Sequence, residues 1–162
     1  MKKFLLFPLL ILFCFSGCTI EKNGSDLTGF ILRMNERNES YNLTANGFLY
    51  DDNDEVLYKF FAFTDTEILL SFKEDTKGRL TEMNIVADKD FHKDEAVIKF
   101  IENTLFSFID NEELTNNILT ETDFFNSIKT INNDTKKAEN GNIEILLDVT
   151  EIGTVITVYK DI

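Results

Sequence analysis

The sequence predicts an α+β fold: an antiparallel β-sheet, made of a meander plus a C-terminal hairpin, with two or three helices packed on one face. Three observations predict it. Apolar residues alternate with polar ones between Tyr41 and Ala87 and again between Ile143 and Tyr159. Near Asp90 the apolar period changes to that of a helix. The connections between extended segments are short, which favours antiparallel neighbours and helices layered on one side.

Taken in order, "GFILRM" (Gly29 to Met34) is apolar and β-prone and reads as a first strand. "YNLTA" (Tyr41 to Ala45) alternates Tyr41, Leu43 and Ala45 on one face. A hairpin follows, with Phe48–Tyr50 and Glu55–Phe63 as arms and Asp51 to Asp54 as the loop. Val56, Tyr58, Phe60 and Ala62 share one face of the second arm, and Leu57, Phe61 and Phe63 the other, so this strand reads as central in the sheet. A second hairpin alternates Ile68, Leu70 and Phe72 in one arm and Met83, Ile85 and Ala87 in the other. Its turn "EDTKG" places Gly78 where φ can be positive.

In "HKDEAVIKFIENTLFSFID", Val97, Ile101, Leu105 and Phe108 recur at helical spacing beside Phe100 and Ile109, and Asp94 and Glu95 suit the positive helix end. A second helix is expected after Asn111 as N-cap, with Leu114 and Ile118 on its apolar face. "TETDFFNSI" is expected to be a third short helix, with Phe124, Phe125 and Ile128 inward, and "NNDTKKAENGN" (132–142) a polar loop. The chain closes with two strands. Ile143, Ile145, Leu147 and Val149 share one face of the first. In "TVITVY" Ile156 and Val158 oppose Val155 and Tyr159. Whether this hairpin joins the main sheet is open at this level.

The only cysteines, Cys14 and Cys18, lie in "FCFSGC". Before them come Lys2 and Lys3 and an uncharged apolar run from Phe4 to Phe15. The run is about a dozen residues, short of the roughly 20 needed to span a bilayer, and has the layout of a secretory signal peptide. Ser16 and Gly17 are small and Cys18 follows. Phe15-Ser16-Gly17-Cys18 in this position resembles the lipobox of bacterial lipoproteins, with Phe15 standing where Leu, Val or Ile is usual. The resemblance covers about the first twenty residues. It implies a diacylglyceryl group on the Cys18 thiol and cleavage just before that residue, with Cys14 discarded. It also implies anchoring at the cell membrane or, since Thr19 rather than Asp follows the cysteine, the outer membrane of a Gram-negative cell, facing outward. The expected organisation is a signal peptide at 1–17, a lipidated cysteine and tether at 18–27, and a single α+β domain at 28–162. A zinc or disulfide use of the pair is disfavoured: no histidine or third cysteine lies near, and a disulfide would form inside the discarded segment.

Cleavage leaves 145 residues, enough for one domain with a core, and removes two lysines and no acid, so the net charge falls from −13 to −15. Such a surface repels phosphates, so no nucleic-acid partner is expected. The expected partners are the membrane, through lipid on Cys18, and a protein.

Candidate chemistry is sparse. His92 is the only histidine and is expected near the start of the first long helix, at the surface or capping. Asp51, Asp52 and Asp54 bring hard oxygens together as a candidate Ca²⁺ loop, but the glycine of the EF-hand pattern is missing and a polar hairpin loop is the simpler reading. No catalytic residue and no cofactor is nominated. Two function classes follow. One is a non-catalytic, lipid-anchored binding or accessory module, using the open sheet face or a groove between the layers. The other is a carboxylate-dependent envelope hydrolase, which requires an acidic cleft with a carboxylate of raised pKa.

Overall fold

The fold is given by a computed structural model that describes residues 25–37, 45–50, 56–61, 68–88, 90–121, 123–124, 135–150 and 153–161; for 45–50, 56–61, 92 and 121 it describes the backbone alone. In chain order the elements are α1 (Leu27–Arg37), β1 (Ala45–Tyr50), β2 (Val56–Phe61), β3 (Leu69–Glu74), β4 (Leu80–Ala87), a 3-10 turn (Phe91–Lys93), α2 (Glu95–Ile109), α3 (Glu112–Glu121), β5 (Thr135–Asn140), β6 (Ile143–Val149) and β7 (Thr154–Lys160). The strands form one sheet in the order β1-β2-β3-β4-β7-β6-β5, with every neighbouring pair antiparallel. The class is α+β, as the alternation and the change of period predict.

The C-terminal hairpin joins the main sheet: β7 lies beside β4, with Met83 opposite Val158 and Ile85 opposite Ile156. That insertion makes β4 the middle strand. β2, expected to be central, is paired on both sides, with β1 and β3, and lies second in the described order because β7, β6 and β5 all add beyond β4.

Two-residue periodicity sorts the side chains. Leu70, Phe72, Met83, Ile85, Ile145, Leu147, Ile156 and Val158 are fully buried on one face. Three helices supply the other half of that core: Phe30 and Met34 from α1, Val97, Phe100, Ile101, Leu105 and Phe108 from α2, and Ile118 from α3. The Phe72 ring lies 4.7 Å from Phe30 and 6.3 Å from Phe108, so it joins β3 to both helices.

The helix ends follow from side-chain caps. Asp94 has extended backbone and accepts from the N–H groups of Ala96 and Val97, which makes it the N-cap of α2. Asn111 Oδ1 accepts from Leu114 N at 3.0 Å, the cap expected for α3. The stretch expected to form a third short helix starts inside α3. Phe124 is buried as expected, while Phe125 and Ile128 lie outside the described residues.

Two elements differ from expectation. Gly29 to Met34 is helical, within α1. The six-residue window hid the period: Leu27, Phe30, Ile31 and Met34 recur at i, i+3, i+4 and i+7, and Asp26 Oδ1 caps Gly29 N at 2.8 Å. Ser25 to Leu27, expected in the tether, belong to the fold, since the Ser25 carbonyl accepts from Leu80 N at 2.8 Å. The second difference is β5, which occupies most of the expected polar loop. Only Ala138 of β5 is buried. An edge strand with one face in water and lysines along it carries little apolar alternation to read. It returns through Gly141, whose φ of 62° suits the first loop position of a type II′ hairpin. Of the expected Tyr41–Ala45 strand, Ala45 belongs to β1 and residues 41–44 lie outside the described set.

Two buried positions test this core in opposite directions. Phe72→Ala should lower unfolding free energy by about 3–5 kcal/mol, read from urea denaturation. Thr154 is fully buried between Ala87 and Val149, and its Oγ1 has no hydrogen-bond partner. Thr154→Val should therefore raise stability by about 1 kcal/mol in the same assay.

Candidate functional site

Alternate residues of β3, β4, β7 and β6 point away from the helices, and the register sets them in rows across the sheet. One row runs Leu69, Val86, Val155, Asp148. The next runs Ser71, Asn84, Thr157, Leu146, and the last Lys73, Glu82, Tyr159, Glu144. Most of these side chains are half-buried. Val86 and Tyr159 are the exposed large apolar ones among the described residues, at 37% and 40%. This is the sheet face left open by the helices.

Polar ladders link the strands on this face. Thr157 Oγ1 donates to Asn84 Oδ1 at 2.7 Å, and Asn84 Nδ2 donates to Glu82 Oε1 at 3.0 Å. Lys137 on β5 bridges Glu144 at 2.7 Å and Glu139 at 3.2 Å, and hydrogen bonds to Glu144 and then Glu139 raise its pKa. Shallow depressions flank Tyr159. One, of about 480 Å³, is lined by Glu139, Asn142 and Glu144; the other, of about 390 Å³, by Lys73, Arg79 and Glu82.

The opposite end of the sheet holds an apolar recess of about 280 Å³ against Ile68, Ala87, Phe91 and Val97. Gly153 closes in on this end, and a Cβ there would meet the Ala87 carbonyl oxygen at 2.9 Å.

The carboxylate environments bear on acid–base chemistry. Asp75 Oδ1 accepts from the N–H groups of Lys77 and Arg79, and Oδ2 from the Arg79 guanidinium at 2.8 and 2.6 Å. The Arg79 backbone bond, then its side chain, hold the Asp75 carboxyl at about 2 against an ordinary 3.8. That direction suits a staple for the β3–β4 turn, where Gly78 has φ of 76°, and is opposite to what a general acid needs. The buried polar residues among those described are Arg33, Asn103, Thr104, Ser107, Thr115 and Thr154, and none is a carboxylate.

Cys18 and the candidate calcium ligands Asp51, Asp52 and Asp54 lie outside the described residues; Tyr50 pairs with Val56, so the acidic run connects the β1–β2 hairpin. His92 is in the 3-10 turn before α2, near the expected position, and its side chain is outside the description. Among the described residues no group of three or more His, Cys, Asp or Glu is placed to hold a metal, and no helix is long and apolar enough to cross a membrane. The sequence placed Tyr159 on the correct face; its exposure was set by what packs nearby and had no local signal. Comparison with protein-family models, curated proteins and solved structures finds no match.

Because the folded pKa of Asp75 is depressed, its contribution to stability is complete above about pH 4 and is lost as pH falls toward 2. Asp75→Asn should flatten the fall in urea midpoint between those pH values, and the gap between the two proteins should narrow toward pH 2.

Proposed function

We propose that this chain is a lipid-anchored, non-catalytic binding or accessory protein of the bacterial cell envelope, held at the membrane through Cys18 and contacting a protein through its open sheet face. The anchor rests on the order of charged, apolar and small residues ahead of Cys18. The binding role rests on one observation: a face that none of the described helices covers carries an exposed valine and an exposed tyrosine beside polar ladders. An exposed tyrosine beside polar groups supplies a large contact area with few rotatable bonds, which is how an interface anchor works. An apolar, filled layer beneath that face leaves the contact chemistry to its surface.

A photo-crosslinking amino acid at position 86, compared with one at exposed Ala96 on α2, tests the surface in intact envelopes. A discrete adduct from position 86 alone is the expected result; equal adducts, or none from a folded and anchored chain, refute the reading. Tyr159→Ala should lower adduct yield at position 86 about tenfold, the loss of an anchor worth about 1.4 kcal/mol. Its unfolding free energy, read from urea denaturation, should stay within about 0.5 kcal/mol of the parent.

A further inference from the structure

The start of the described fold is fixed at one end of the sheet. Ser25 is tied to Leu80, the first residue of β4, and Asp26 caps α1 directly behind it. The same end carries the Asp75–Arg79 turn, the Gly141–Asn142 turn and Asp161, whose N–H donates to the Asn142 carbonyl at 2.9 Å. The other end carries Ile68, Ala87, the 3-10 turn and the start of α2. Only six residues, Thr19 to Gly24, separate Cys18 from Ser25.

Lengths decide what this connection permits. Seven Cα steps reach about 25 Å when fully extended. A flexible coil of that length averages about 15 Å. The seven steps from Leu80 to Ala87 along β4 run about 23 Å from one end of the sheet to the other. Turning the far end toward the bilayer would need the whole tether stretched back along the sheet, at the full entropy cost of extension. The near end meets the bilayer without that extension.

We infer that the surface formed by Ser25, the β3–β4 turn, the β5–β6 turn and Asp161 is the membrane-facing surface of the protein, and that its occupant is the lipid bilayer carrying the anchor. This rests on the reading of Cys18 as the lipidated residue. The strands then stand away from the membrane, the open face looks sideways along it, and Tyr159 lies nearer the lipid than Val86 does. The recess at Ile68, Ala87, Phe91 and Val97 points outward.

The test uses the full lipidated chain in phosphatidylcholine vesicles containing a headgroup-linked energy acceptor. Lys77→Cys and Ala96→Cys, both at exposed positions at opposite ends, are labelled with a donor dye; lipid on Cys18 leaves each variant one free thiol. Transfer from position 77 should exceed that from position 96 severalfold. Equal transfer, or more from 96, on a chain of confirmed lipidated mass overturns the orientation. A long Gly/Ser insertion after Asn23 should abolish the difference; a difference that persists unchanged overturns the tether as its cause. Mass spectrometry showing Cys18 without lipid refutes the anchor, and the orientation with it, a result distinct from equal transfer on a lipidated chain.

Discussion

Where α2 ends, its last carbonyls have no partners of their own within the helix and form the negative end of its dipole. Two cations from distant parts of the chain meet it. Arg33 Nε, from α1, donates to the Ser107 carbonyl at 2.8 Å, and Lys160 Nζ, from the last strand, donates to the Ile109 carbonyl at 3.2 Å. Asp110 then takes the left-handed conformation, with φ of 57°, and its carboxylate lies 3.5 Å from Arg33. Burial lowers the pKa of both cations, and Asp110 opposes that shift in each. The desolvation is a real cost, offset by carbonyls that would otherwise be buried unpaired. α1, α2 and β7 are therefore held at one point.

The rest of the architecture depends on this point. α2 spans the core face of the sheet from the Ala87 end to the Lys160 end, and the largest buried side chains gather around it. α1 is fixed by a second set of contacts: Asn103 Nδ2 donates to the Arg37 carbonyl, Arg37 pairs with Glu112, and its guanidinium lies 5.2 Å from the Phe106 ring centre. The last two of these are exposed and contribute little alone. The apolar contacts of Phe30 with Phe72 carry the larger share. Helices thus cover one face of the sheet densely, and the other is held by hydrogen-bonded polar rows.

Legibility in the sequence tracked how much of each element is buried. Ile143 to Val149 alternates strictly because one face packs on helices and the other meets water, so strand and face were both readable. The α2 stripe was readable for the same reason. Gly29 to Met34 was not, because β-branched and aromatic neighbours in a short window imitate a strand until Leu27 and the Asp26 cap are included. β5 was silent because an exposed edge needs no apolar pattern. The roles of Arg33 and Lys160 had no local signal, since each depends on a carbonyl more than fifty residues away. Tyr159 was readable as a face and not as a surface, because exposure belongs to the assembled sheet.

The return of β7 into the middle of the sheet bears on how the molecule answers to mechanical load. Ser25 and Asp161 leave the fold at the same end, one beside the start of β4 and the other at the close of β7. A pull between them acts on α1 and β7, and Ser25 is joined to β4 through the hydrogen bond from Leu80, so that bond gives before the ladder between β4 and β7 carries the load. The ladder itself is sheltered by its place in the middle of the sheet.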